Sequence, residues 1–308
     1  MNNKHKLWVE KYRPQTIKDY IFYDDNLLKT VNQFIDEKTI PHLLFSGGPG
    51  VGKTTLINVL INELDMDPTD VLTLNASDEN SVDVMRDKIK GFVSTHSFGD
   101  FKIVHLSESD YLTPNAQSIM RQLMEDYADF ARFMLSANYD NKIIPAIRSR
   151  CQHFHFRKPD FDEILEHIYK ILKKEHVKTD FETLEKYVTI GYPDIRKIIN
   201  LVQQNTNDGR LIQSESESDS DWQNELIELI GKDDWLGARQ IAENNIADEE
   251  WEDVFRFLYE NLKGAGKFKN EKKWEEAIVV IGDHLYKHAL VAVPVINGVA
   301  MFIRLAQI

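Results

Sequence analysis

Along the first half of the chain, short runs of apolar and β-branched residues alternate with longer stretches whose apolar positions recur at helical spacing. The pattern predicts strands near His42–Ser46, Val71–Leu74, Lys102–Leu106, Arg132–Ala137 and Gln152–Phe156. It predicts helices between them near Asn26–Glu37, Thr54–Glu63, Val82–Phe92 and Ala116–Tyr127. Strands that alternate with helices imply a parallel five-stranded sheet with crossover helices on both faces. After Pro159 the strand signals stop, and Phe161–Lys174, Phe181–Thr189 and Asp194–Gln204 predict a small all-α domain. Ser214 to Asp221 reads SESESDSD, an acidic segment without an apolar residue that cannot bury a core and is expected to be a linker. From Trp222 to Ile308 the spacing is helical again, as in Leu226, Ile227, Leu229 and Ile230, then Val254, Phe255 and Leu258. The run from Ile278 to Ile308 is apolar around so much of its circumference that it is expected to be buried, in this chain or in a partner. The expected division is an α/β domain over residues 1–157, a helical domain over 158–212, a linker over 213–221 and a helical domain over 222–308. No internal repeat is evident.

Composition narrows the class. The 308 residues suffice for two or three domains, and 42% hydrophobic with 28% charged residues is ordinary for a globular protein. One cysteine, Cys151, excludes an internal disulfide framework and suits a reducing cytoplasm. No basic-then-apolar leader opens the sequence, and the longest apolar stretch, Ala289–Ile303, contains Pro294 and Asn297 and is too short to span a bilayer, so no membrane association is expected. A net charge of −13 argues against coating nucleic acid through the whole surface, although a local basic groove on an acidic body remains compatible with it.

The most specific chemistry lies after the first strand. Gly47-Gly48-Pro49-Gly50-Val51-Gly52-Lys53-Thr54 fits the phosphate-loop pattern in full, with the apolar run HLLFS before it and the helix-forming run TTLINVLI after it. The glycines let successive backbone N–H groups turn inward around phosphate oxygens, and the helix N-terminus adds the positive end of its dipole. Lys53 is expected to reach the β- and γ-phosphates of ATP, Thr54 to ligate Mg²⁺, and Thr55 to complete the cradle. A second apolar strand, FKIVHLSESD, ends in polar residues where such ATPases place their metal and water groups. Strands of this type usually end Asp-Glu; here the pair is Ser107-Glu108. Glu108 can still orient the attacking water. Ser107 brings no negative charge to a hard dication, so weaker Mg²⁺ retention through a bound water is expected, with hydrolysis either tolerated or slowed.

Further blocks appear in chain order: Leu7-Trp8-Val9-Glu10-Lys11-Tyr12-Arg13-Pro14, the phosphate loop, Asn75-Ala76-Ser77-Asp78, Leu112-Thr113-Pro114-Asn115-Ala116-Gln117, Ser136-Ala137-Asn138, Ser149-Arg150-Cys151 and Gly191-Tyr192-Pro193-Asp194-Ile195-Arg196. In this order they resemble the sliding-clamp loaders of the AAA+ class, either a replication factor C small subunit or the large subunit of a T-even-type phage clamp loader. The blocks cover about residues 7–200, and the tail matches only in length and helical character. The resemblance implies a P-loop AAA+ domain followed by an all-α lid and an all-α collar that holds subunits in an open pentameric ring. It implies a cytoplasmic protein (of an infected bacterial host if phage-encoded) that acts with a sliding clamp and primer–template DNA.

The resemblance also implies roles. Tyr12, Arg13 and Pro14 would close over the adenine. Asn138 would be a first sensor of the γ-phosphate or attacking water, and Arg196 a second sensor on the lid. Arg150 would be a finger entering the neighbouring subunit's site, with a guanidinium's bidentate donors and fixed charge. Arg86, Lys88 and Lys90 follow the NASD block on a predicted helix and would track the duplex backbone without sequence preference. Ser97-Phe98-Gly99 could present an aromatic to the clamp, and Gln117 resembles a relay position, with a surface or capping role open. The run Lys267, Lys269, Lys272 and Lys273 reads as a solvated loop, and Trp235, Trp251 and Trp274 as packing residues.

Three departures from the family pattern stand out. Ser107 replaces an aspartate, Arg148 stands where glutamine is more frequent, and His105 lies in a buried strand where a neutral core histidine is the simplest reading. Two alternatives stay open: another AAA+ remodeller such as a branch-migration motor, or a nucleotide-holding structural member with weak or no hydrolysis.

Overall fold

A computed structural model describes residues 7–77, 82–212, 217–288 and 290–308. Asp78 of the NASD block and the first part of the acidic run lie outside the described residues. The chain divides near residue 213 into two compact units.

The first unit is built on five parallel strands: β1 (Leu43–Ser46), β2 (Val71–Asn75), β3 (Lys102–Ser107), β4 (Ala131–Ala137) and β5 (Gln152–His155), in the order β2-β3-β4-β1-β5. All five expected strands are present. β1, β3 and β4 are buried almost throughout, which explains why they read as continuous apolar runs rather than alternating ones. Their residues still take turns between two cores. Leu44, Val104, Leu106, Phe133 and Leu135 pack on one face against Met85 and Ile89 of α4 (Val82–Val93) and Ala116, Met120 and Leu123 of α5 (Pro114–Asp126). Leu43, Phe45, Ile103 and Met134 pack on the other, against Val31 and Phe34 of α2 (Asp25–Asp36) and Leu56, Val59 and Leu60 of α3 (Lys53–Glu63). This period-two division places helices on both faces of the sheet, as expected of an α/β domain.

Local signals fix the helix starts. The Asp24 carboxylate accepts from Asn26 N at 2.7 Å, and the Thr113 hydroxyl accepts from Ala116 N at 3.2 Å with Pro114 in the first turn. After the short α6 (Pro145–Arg148) that precedes β5, the three helices that follow the sheet, α7 (Phe161–Lys174), α8 (Phe181–Gly191) and α9 (Ile195–Gln204), each begin on an aspartate cap, Asp160, Asp180 and Asp194. Their apolar faces close over Ile164, Ile168, Leu184, Val188, Ile198 and Val202. The short α1 (Trp8–Lys11) joins this lid rather than the sheet: Trp8 is buried in its core, and Trp8 N donates to Gln203 Oε1 at 2.8 Å. The lid is not purely helical, because Thr206–Asn207 (β6) and Arg210–Leu211 (β7) pair as a short antiparallel hairpin too brief to leave a period-two pattern.

Two single-residue readings resolve here. Gln117 is neither a surface residue nor a cap: it is buried, its amide donates to the Leu112 and Lys142 carbonyls at 3.1 and 2.9 Å, and its oxygen accepts from Ile144 N at 2.8 Å. It ties the start of α5 to the segment after β4. His105 is buried in β3, and burial pushes its pKa down to about 4, so it is neutral at physiological pH.

The second unit is helical: α10 (Glu217–Gly231), α11 (Trp235–Asn245), α12 (Trp251–Asn261), α13 (Glu271–His288) and α14 (Pro294–Ala306). The expected linker is shorter than residues 213–221, because α10 already includes Glu217–Asp221; acidic residues suit the positive end of a helix dipole, so lack of apolar residues does not exclude the first turns of a helix. Trp251, Phe255, Trp274, Phe302 and Leu305 form the core, which accounts for the tryptophans as packing residues. Lys267 is not part of a solvated loop: its ammonium donates to the Leu305 carbonyl at 2.7 Å and pairs with Asp233. The terminal apolar run is only partly covered, since Met301, Phe302 and Leu305 are buried while Leu290 and Ile296 are exposed. Among the described residues no helix is long and apolar enough to cross a membrane.

Candidate nucleotide-binding site

The loop from Gly47 to Gly52 links the end of β1 to the start of α3, and its backbone is one that only glycine adopts comfortably. Gly50 and Gly52 have φ of +68° and +94°. A Cβ on Gly50 would stand 1.9 Å from the Asp194 carboxylate, and one on Gly52 would stand 2.7 Å from the Tyr20 hydroxyl. By contrast, a Cβ on Gly48 would meet nothing within 4 Å. The loop is therefore packed from outside by Tyr20 and by the cap of α9, while a side chain at Gly48 would meet open space.

Lys53, the first residue of α3, is buried and donates to the Gly47 carbonyl at 2.7 Å, the Gly48 carbonyl at 2.6 Å and Asn138 Oδ1 at 2.9 Å. Burial pushes its pKa down to about 8; Asp110 pulls it back up, Arg196 pushes it further down, and Asp194 again opposes. A polyphosphate placed beside Lys53 would favour the ammonium and lift that pKa. Binding above pH 8 must then take up a proton. ATP affinity, followed by fluorescent-nucleotide titration at fixed salt, is expected to be level below about pH 8 and to weaken by up to about tenfold per pH unit above it, towards the ordinary lysine range. A level profile through about pH 9.5 would show that Lys53 stays charged in the empty cradle.

The cleft above the loop gathers four parts of the first unit. Val9, Tyr12, Arg13 and Pro14 form one wall and Pro49 to Thr55 the floor. Glu108, Ser136, Ala137 and Asn138 come from the ends of β3 and β4, and His167, Ile195, Arg196 and Ile199 from the lid. Among the residues expected at the nucleotide, Pro49, Gly50, Val51, Gly52, Lys53, Thr54, Thr55, Glu108, Asn138, Arg196, Tyr12, Arg13 and Pro14 thus share one cleft, and Gly48 joins through Lys53. The wall is fixed to the lid: the Tyr12 hydroxyl donates to Glu175 Oε1 at 2.6 Å, and Lys11 binds the same oxygen at 2.5 Å. Glu108 has φ +54° and ψ +40°, a left-handed conformation uncommon outside glycine and frequent at functional sites.

Several expected site residues lie elsewhere. Ser107 does not line the cleft; its hydroxyl donates to the Leu74 carbonyl at 3.3 Å. Arg150 is on the exterior, where it donates to the Ala146 carbonyl at 2.6 Å and pairs with Glu125. On α4, Arg86 and Lys90 are one helical repeat apart and share a face, whereas Lys88 is turned to the other side. Arg86 is half-exposed beside Asp87.

Sequence patterns missed Asp110, Tyr20 and His167, and marked Asp194 only as the start of a helix within a family block. Asp110 is buried, and its two oxygens accept from Asn138 N and Tyr139 N at 3.1 and 3.3 Å, fixing the turn that carries the Asn138 amide. Its position two residues beyond Glu108 was a usable signal; nothing in the sequence marks Tyr20 or His167.

Comparison with known proteins agrees with this layout. The AAA family (ATPase family associated with various cellular activities) matches residues 43–158, from β1 to just beyond β5. A replication factor C small subunit of Archaeoglobus fulgidus is 34% identical over 269 residues, covering 83% of this chain and 84% of that protein. One from Methanococcus vannielii is 36% identical over 245 residues, covering 76% and 78%. The chain belongs to the replication factor C small-subunit family. A Methanococcus maripaludis member is 42% identical over 202 residues, and this stretch spans 64% of each protein's length. Among solved structures, Thermotoga maritima RuvB, a Holliday junction branch migration motor, superposes with a TM-score of 0.56 over 71% of this chain and 79% of that one at 16% identity, a likeness of fold.

Proposed function

We propose that this chain is an ATP-driven subunit of a DNA sliding-clamp loader, which opens the clamp and places it on primer–template DNA. The observation that carries the reading is the single cleft in which the phosphate loop, Glu108, Asn138 and the lid residue Arg196 meet, in a chain of this family. Within it Lys53 binds the β- and γ-phosphates and exchanges its bonds to the Gly47 and Gly48 carbonyls for phosphate oxygens. Asn138, released from Lys53, reports on the γ-phosphate, while Glu108 orients the attacking water. Tyr12, Arg13 and Pro14 cover the base. The Thr54 hydroxyl would hold Mg²⁺, with Ser107 contributing through a water, and the ion would supply positive charge against the phosphates.

Because Arg196 and the Tyr12 wall both belong to the lid assembly, filling the cleft draws the lid toward the phosphate loop. That couples nucleotide state to subunit position, and Arg150 carries the same information to a neighbour in an open pentameric ring. On α4, Arg86 and Lys90 present a basic pair suited to a duplex backbone, with Lys88 contributing at most from the side. Phe98 is 76% exposed at the tip of a turn whose Ser97 hydroxyl and Phe98 and Gly99 N–H groups all bind the buried Asp70 carboxylate, a rigid mount suited to a clamp contact.

The test is ATP turnover by the reconstituted loader with and without its clamp and primer–template DNA. Turnover stimulated by both ligands is the expected result. ATP binding without stimulated turnover, recovered by Ser107→Asp, would instead favour a nucleotide-holding structural member.

A further inference from the structure

Away from the nucleotide cleft, two histidines and an aspartate converge across the edge of the sheet. His153 and His155 are two apart on the edge strand β5, so both leave the same face. Asp140 opens the turn just after β4. The strand between them in the sheet is β1, so three separate segments meet there. One ring nitrogen from each histidine and a carboxylate oxygen of Asp140 lie within 4.8 Å of one another. The hydroxyl of Ser46, which is fully buried at the end of β1, sits 2.7 Å from His153 Nε2 and 3.0 Å from His155 Nδ1.

We propose that Asp140, His153 and His155 bind one divalent transition-metal ion of the zinc type. Two imidazole nitrogens and one carboxylate oxygen are a borderline donor set, suited to Zn²⁺ or Co²⁺ and poorly suited to Mg²⁺, which prefers oxygen ligands. The Ser46 hydroxyl hydrogen-bonds one nitrogen of each ring and so fixes their orientation from within the sheet. Asp140 supplies the negative charge facing His153, while Arg148 is the nearby cation that opposes it. Donors around Zn²⁺ at about 2.0–2.1 Å need to close to roughly 3.3 Å from one another, a movement that exposed side chains make by rotation. Both histidines are exposed, so an ion can enter from solvent. Bound there, it clamps β5 to the end of β4 across the strand that leads into the phosphate loop, since Ser46 directly precedes Gly47. The site does not depend on how the nucleotide cleft is used.

The experiment is titration of chelator-treated full-length protein with Co²⁺, followed by its visible absorption, and then with Zn²⁺ as competitor. One Co²⁺ per chain, displaced by Zn²⁺, is expected for the wild type. His153→Ala/His155→Ala should abolish that signal, and Asp140→Asn should weaken binding by more than about tenfold. Unchanged far-ultraviolet circular dichroism shows that each variant is folded. No saturable binding by the wild type, or equal binding by the folded double variant, would overturn the proposal.

Discussion

Replacing Arg150 with alanine is expected to lower ATP turnover of the assembled loader by about 10³- to 10⁵-fold, the range set by arginine fingers supplied in trans. ATP binding by the isolated subunit should be unchanged. The two halves of this expectation come from where the side chain lies. Arg150 does not line its own chain's cleft but stands on the exterior against Glu125 and the Ala146 carbonyl, so the proposed finger role requires a nucleotide held by another subunit. An exposed ion pair contributes about 0–1 kcal/mol, so its loss should leave folding nearly intact and cannot account for a large kinetic effect. Arg150→Lys separates charge from geometry: it keeps the cation but not the planar fork, and should restore only part of the rate. The checks are single-turnover hydrolysis by the reconstituted complex and nucleotide titration of the subunit alone. A weakened affinity in the isolated Arg150→Ala subunit would mean that the residue serves its own site.

The parts of this molecule that were legible in its sequence are those governed by local rules. β1, β3 and β4 announced themselves as apolar runs because parallel strands are covered on both faces, and the lid helices announced themselves through apolar positions at helical spacing. The phosphate loop was legible because its chemistry is local: the backbone of a few consecutive residues makes the cradle. What stayed hidden depends on distant partners. Nothing near Tyr20 says that its ring packs beneath Gly52, and nothing near Trp8 says that it enters the lid core through Gln203. The Asp140–His153–His155 cluster was hidden for the same reason, since a parallel sheet brings together residues with no sequence spacing to betray them. The acidic run misled because absence of apolar residues predicts an unburied segment but leaves open whether that segment is helical.

Lys53→Ala carries the second large expectation, and it has opposite signs for binding and for folding. In the nucleotide-free cradle the ammonium is held by two carbonyls and the Asn138 amide oxygen, yet burial still pulls its pKa down to about 8. A base whose folded pKa lies below its unfolded value opposes folding wherever it must stay charged. That penalty is full below about pH 8 and relaxes as pH rises toward the ordinary lysine value, and the shift corresponds to roughly 3 kcal/mol at neutral pH. Alanine removes the buried charge and frees three acceptors, of which Asn138 lines the open cleft and Gly48 is exposed, so that water can satisfy these two, while Gly47 is buried. The melting temperature of the nucleotide-free variant is therefore expected to equal or exceed that of the wild type at pH 7. Nucleotide binding should move the other way. Truncating one member of a desolvated charge pair costs about 2–5 kcal/mol, so ATP affinity should fall by roughly 30- to 5,000-fold, and hydrolysis with it. Calorimetric melting and nucleotide titration on the same preparation check both. A variant that melts well below the wild type would show that Lys53 is a structural pin of the loop; a stable variant without affinity would show that its burial is strain held in reserve for the phosphates.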